Sequence, residues 1–218
     1  MNKKHFYLDI NRVFREGTEL YKKYFNEVIT AYLGIFILTA FNNYVVLPYY
    51  SKALSSILGL FISIFSLFMT LGLYIYFHCE EEKEPIKLSE AFKNVTPRLI
   101  PVFLTEILYL IIVGLGFVLL IIPGIILFVM FSQAVFFALL EAKSPQDALK
   151  ASRKLTNGNR WNLFIFYLIV GVITVLLNIV VGNIFPPIVV QLADKLVDSF
   201  MLVVTFALWR TLKNRSAV

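Results

Sequence analysis

The residues able to do chemistry are few in this 218-residue chain. It holds two histidines, His5 and His78, and one cysteine, Cys79. His78 and Cys79 are adjacent, but the further ligands that a closed zinc site needs do not accompany them. A lone cysteine also cannot form an internal disulfide. Glu80, Glu81, Glu82 and Glu84 make the strongest acidic run. Without aspartates in a spaced metal-binding motif it reads as a solvated loop. There is no phosphate-cradling glycine loop, dinucleotide fingerprint or nucleophile elbow. The expectation is a non-enzyme with no cofactor and no metal.

Polar residues set among apolar ones are more informative. Glu106 falls inside an apolar run, where an ionisable group is expensive and normally faces another helix or water. It is a proton- or cation-coupling residue, a buried structural acceptor, or a side chain reaching toward the headgroups. Gln133 and Asn178 lie in two further apolar runs, and Asn42, Asn43 and Asp198 lie toward the ends of others. Convergence of these six on one intramembrane site is conceivable from their placement. Outside the apolar runs, Lys150, Arg153, Lys154 and Arg160 form a basic group suited to phosphate or to a partner's acidic surface. The plainer reading is a solvated cluster that sets topology.

The elements that must position these residues follow from composition. Hydrophobic residues make up 59% of the chain, charged residues only 16%, and the mean hydropathy is +0.77. A soluble domain holds about 25% charged residues. Apolar runs at 28–47, 57–77, 99–122, 124–140, 163–181 and 189–209 are mostly near the ~20 residues that cross a bilayer. The last is interrupted by Asp194, Lys195 and Asp198. The fold class is therefore all-α: a polytopic membrane helical bundle, read as six transmembrane helices in three hairpins.

Residues 99–140 as one helix would extend about 63 Å, twice the hydrocarbon thickness. Pro123 and Gly124 are the strongest punctuation there and predict a tight apolar turn between two spans. A kinked or re-entrant segment is the competing reading. Of the 20 Lys and Arg residues, all but Lys52 and Lys195 fall in the two terminal segments and the two long connections. By the positive-inside rule both termini face the cytoplasm, in parity with six spans. No cleavable signal is expected. The formal charge of +6 suits anionic lipid headgroups at that face and carries no nucleic-acid motif.

Each hairpin has a polar lead-in of amphipathic helical character. The first, at 6–25, suits the cytoplasmic membrane interface, with Gly17 as its weak point. In the second, Ser89 reads as the cap of a helix over 90–95 that ends at Pro97. In the third, Ser144 caps a helix with Pro145 in its first turn and a small apolar face of Ala148, Ala151, Ser152 and Leu155.

The run IIPGIILFVMFSQAVFFALLEAKSPQDALKASRKLTNGNRWNLF resembles bacterial multi-pass proteins related to the membrane domain of glycerophosphoryl diester phosphodiesterases. The likeness rests on Pro123-Gly124, Ser144-Pro145, Ala148-Leu149, Ser152, Leu155, Gly158 and Trp161. It implies a helical membrane domain with cytoplasmic amphipathic segments. It implies no phosphodiesterase activity, because the run supplies no recognised catalytic residue and no soluble catalytic domain accompanies it here. The expected role is a non-enzymatic accessory or scaffold protein of the bacterial plasma (inner) membrane. Membrane homeostasis, protein assembly and resistance to membrane-active agents are the processes it would serve. Its expected partners are lipids, including anionic headgroups at the cytoplasmic face, and a membrane protein. The alternative is a small transporter or lipid-handling protein with Glu106 in the bundle.

Overall fold

The computed structural model describes residues 8–216, and among these every regular element is helical. His5, Lys3, Lys4 and the first two residues of the expected interfacial helix lie outside the described residues. Helix α1 spans Ile10–Lys23, capped by the Asp9 carboxylate accepting from the Arg12 N–H at 3.2 Å. Tyr24 bends the chain into α2, Phe25–Phe41, which runs through a π-helical turn at Asn42–Val46 into α3, Leu47–Tyr49. Ser51 then caps α4, Lys52–Glu81. The second lead-in is α5, Leu88–Val95, joined by a 3-10 turn at Thr96–Arg98 to α6, Leu99–Leu119. It begins at Leu88 with Lys87 as cap, earlier than Ser89. There the Glu90 carboxylate accepts from the Lys87 N–H at 3.3 Å, so the capping contact falls on Lys87 and Ser89 lies inside the first turn.

The remaining helices are α7, Ile121–Phe131; α8, Ala134–Leu140; α9, Pro145–Leu155; α10, Arg160–Ile184; and α11, Pro187–Ser216. Among the described residues, five segments are long and apolar enough to cross a membrane. They are Phe25–Tyr49, Lys52–Glu81, Leu88–Leu119, Ile121–Leu140 and Arg160–Ile184. The chain is thus a polytopic membrane helical bundle. Helix α11 is long enough, but Asp194, Lys195 and Asp198 near one end and Arg210, Lys213 and Arg215 near the other leave too little uncharged length.

The turn between α6 and α7 corrects the sequence reading. Pro123 and Gly124 are not the turn; Leu120 alone leaves helical geometry, in an extended conformation open to any residue. Pro123 is the third residue of α7, where its missing N–H would have had no intrahelical acceptor anyway. Gly124 instead lets the two helices of the hairpin close. A Cβ on Gly116 would sit 3.0 Å from the Gly124 Cα, so the backbones themselves are in contact there. Gly116→Ala is expected to cost about 2 kcal/mol by overpacking, because neither backbone can give way. Gly114→Ala should be tolerated, since nothing lies within 4 Å of a Cβ at that position. Thermal unfolding of the two variants in detergent checks the contrast.

The first lead-in helix differs from a surface-lying arrangement. Helix α1 packs along α11, with Gly17 against Val204: a Cβ would meet the Val204 Cγ2 at 2.8 Å. Gly17 is therefore the point of closest approach in an unbroken helix, and α1 docks on the bundle. Tyr21 Oη and Ser199 Oγ are 3.0 Å apart along the same seam. The C-terminal half of α11 is the best-buried stretch of the chain, with Val203, Val204, Phe206, Ala207 and Leu208 fully covered. Phe206 packs on Phe77 and Tyr74, and Trp209 stacks on Phe136.

Candidate functional site

The apolar hairpin that ends at Leu140 is not one helix. It breaks at Ser132-Gln133 between α7 and α8, with neither proline nor glycine at the break. A break frees backbone groups that the interior must satisfy. Helix α9 supplies the partners. Ser152 Oγ donates to the Met130 carbonyl at 3.0 Å and accepts from the Gln133 N–H at 3.2 Å. Thr156 Oγ1 reaches the same carbonyl at 3.2 Å. The buried face of α9 is Ala148, Leu149, Ser152 and Leu155, held in register by Ser144, whose hydroxyl accepts from the Asp147 N–H at 3.3 Å. After α9, Gly158 adopts a positive φ of 83°, a conformation glycine allows without a Cβ clash, and the chain turns into α10.

Gln133 is fully buried at this break. Its Nε2 donates to Tyr167 Oη at 2.9 Å and to Ser132 Oγ at 3.3 Å, and its Oε1 is buried without a partner. From Tyr167 an aromatic ladder runs to Phe128, at a ring separation of 5.3 Å, and on to Tyr109, at 6.4 Å. Glu106 lies one turn before Tyr109 on α6. It is half-buried and makes no side-chain hydrogen bond or ion pair among the described residues.

The other intramembrane candidates do not join this cluster. Asn42 is buried, but its Nδ2 donates to the Ser55 carbonyl at 3.2 Å, pinning α2 to α4 at their far ends. Asn43 is half-buried beside it. Asn178 is exposed and bonds its own helix at the Thr174 carbonyl. Asp198 is exposed and pairs with Lys195 at 2.8 Å. The six do not converge: Asn42 joins two helices, Asn178 and Asp198 bond within their own, and Gln133 is linked toward Glu106 through the Tyr167–Phe128–Tyr109 ladder.

The basic group divides as well. Lys150, Arg153 and Lys154 are exposed on the outer face of α9, where Lys150 pairs with Asp147 at 3.5 Å. Arg160 is half-buried at the start of α10, its Nε covered and without a partner. Among the described residues no group of three His, Cys, Asp or Glu is placed to hold a metal ion.

A charged lock that sequence reasoning missed lies at the same end of the bundle as α9. Glu81, from the run read as a solvated loop, bonds Lys23 at 2.7 Å, Tyr24 Oη at 3.0 Å, and Arg210. Arg210 also meets Glu16 at 3.5 Å, and Glu16 bonds Arg12 and Thr211. Glu141, at the end of α8, pairs with Lys143 and Lys213. Arg98 donates to the Leu139 carbonyl at 2.5 Å. These contacts tie α1, α4, α6, α8 and α11 together at their charged ends. The only sequence signal was acids and bases crowded at helix ends, and it does not specify pairing.

Burial alone would push the Glu16 carboxyl up, but the Arg12 and Thr211 hydrogen bonds and the charges of Arg12 and Arg210 hold it below the ordinary range. Glu141 is held down in the same way by Lys143 and Lys213, against its burial. A depressed folded-state pKa adds stability above the ordinary value near 4.5 that is lost as pH falls through the folded value. Acid unfolding below about pH 4.5 should therefore be blunted in Glu16→Gln and Glu141→Gln. Melting temperatures across pH 3–7 measure it.

Comparison with known families gives one match, to a family described as a domain of unknown function, DUF7847, over residues 29–214. The chain belongs to that family. The DUF7847 match takes in the hairpins, the broken helix, α9 and nearly all of α11, and it leaves out α1. No curated protein and no solved structure matches the chain.

Proposed function

We propose that the chain is a non-catalytic accessory protein of the plasma membrane, with both termini in the cytoplasm. In this reading α11 crosses as a sixth span and the bundle is three hairpins. The positive-inside bias supports the orientation, because the charged lock and α9 share one end. Kinship to the phosphodiesterase membrane domain, and a bacterial source, rest on the likeness over residues 119–164 alone.

One observation carries the reading: α9 is fixed into the α7–α8 break by Ser152 and Thr156, so Lys150, Arg153 and Lys154 project on a rigid support. A topology signal needs charge but no such fixing. Broken helices in transporters leave backbone groups for substrate or ions. Here side chains of α9 occupy them, which favours a scaffold over a carrier. The basic face would engage an acidic partner surface, with anionic headgroups beneath it. A photo-crosslinking residue placed at Arg153 in native membranes should trap a discrete protein, and Lys150→Glu with Lys154→Glu should abolish the product. Crosslinks to lipid alone would overturn the reading.

Glu106 supports a second reading, a small transporter or lipid-handling protein, because its carboxyl makes no hydrogen bond or ion pair among the described residues. Glu106→Gln should then fold normally and lose substrate-dependent flux in proteoliposomes by at least about tenfold, the scale of a lost charged interaction. Under the scaffold reading the same variant leaves partner capture unchanged.

A further inference from the structure

An open groove between α2, α4 and α5 takes no part in the contacts described so far. It holds about 410 Å3, within the usual range for small-molecule sites. Asn26, Glu27 and Thr30 line one end beside Leu73 and Phe92, Gly34 and Phe65 line the other, and Met69 stands level with Thr30. The antiparallel register of α2 and α4 is set by Tyr24 stacking on Phe77 and by Asn42 bonding Ser55. That register places Gly34 beside Phe65, about 10 Å beyond Glu27 at ~1.5 Å per residue. The groove is thus mainly apolar, with its few polar groups gathered at the charged end of the bundle.

Glu27 is half-buried in the first turn of a spanning helix and has no cation and no hydrogen-bond donor among the described residues. Of the other half-buried carboxylates at this end, Glu16, Glu81 and Glu141 are paired, and Glu80, which makes no ion pair among the described residues, does not line the groove. A covered charge without a counter-charge is costly. We propose that the groove binds a lipid whose headgroup carries a primary ammonium, with the ammonium on Glu27 and one acyl chain along Gly34, Phe65 and Met69. An anionic headgroup would be repelled by Glu27. A trimethylated ammonium has the charge but no N–H to give the oxygens of Glu27, Asn26 and Thr30. Helix α9 has no share in the groove, so this proposal and the scaffold reading fail independently.

The test is lipid retention by the purified full chain in mild detergent, read by native mass spectrometry. The lipids are phosphatidylethanolamine, phosphatidylcholine and phosphatidylglycerol with identical chains. Phosphatidylethanolamine should be retained about tenfold better than the other two, as one charge-assisted hydrogen-bonded contact implies. Glu27→Gln should erase that preference. Gly34→Leu should remove retention altogether while leaving the melting temperature unchanged, because no atom lies within 4 Å of a Cβ at Gly34. Equal retention of the three lipids by the unaltered chain, or full phosphatidylethanolamine retention in both variants, would overturn the proposal.

Discussion

Arg210→Met is expected to lower stability by about 2 kcal/mol and to loosen α1 from the bundle. Removing one partner of a buried ion pair strands the other, at about 3–5 kcal/mol when cover is complete. Here Arg210, Glu81 and Glu16 keep 18–23% of their side-chain surface exposed, and Lys23 and Arg12 remain as partial counter-charges. Both facts reduce the cost. A double-mutant cycle with Glu81→Gln should recover a coupling of about 1 kcal/mol or more. Glu80→Gln is the control: the neighbouring acid makes no ion pair among the described residues, and its loss should leave the melting temperature unchanged. Faster amide exchange in α1, with little change in α4, would accompany the Arg210 result.

Ser152→Ala should cost about as much, for a different reason. Its hydroxyl satisfies a buried N–H and a buried carbonyl at once, and the alanine leaves the Gln133 N–H orphaned at about 1–3 kcal/mol. Thr156→Val should cost less, near 1 kcal/mol, because Ser152 still serves the Met130 carbonyl. The order of the two variants is the informative quantity, since simple loss of polarity on α9 would make them alike. Thermal unfolding in one detergent measures both.

What the sequence made legible was set by local patterns. Apolar length marks the spanning segments, and Ser144-Pro145 marks the start of α9, because a cap needs only its own first turn. The features of the candidate site depend on distant partners instead. Nothing near Ser132-Gln133 announces a broken helix; its freed groups are satisfied by Ser152 and Thr156, about twenty residues on. Glu81 looked like one of four equivalent acids, and its partners Lys23 and Arg210 lie 58 and 129 residues away. Gly17 read as a flaw in α1 because helix propensity counts against glycine, whereas the space it leaves is filled by Val204. Helix α11 looked the least secure span because charges flank it, and it proves to hold the best-covered part of the core. Pro123-Gly124 was read as the turn, which falls at Leu120 instead, since proline is also at home in the first turn of a helix.

The proposed role of α9, fixed in the broken helix, is to present a basic face to a specific partner. Its most direct test is quantitative co-purification from native membranes at native expression. The unaltered chain is compared with a variant carrying Lys150→Glu, Arg153→Glu and Lys154→Glu, and with an unrelated multi-span protein. One near-stoichiometric protein should accompany the unaltered chain and be lost from the variant, while α9 keeps its amide protection. Identical captures from the unaltered chain, the variant and the unrelated protein would contradict it.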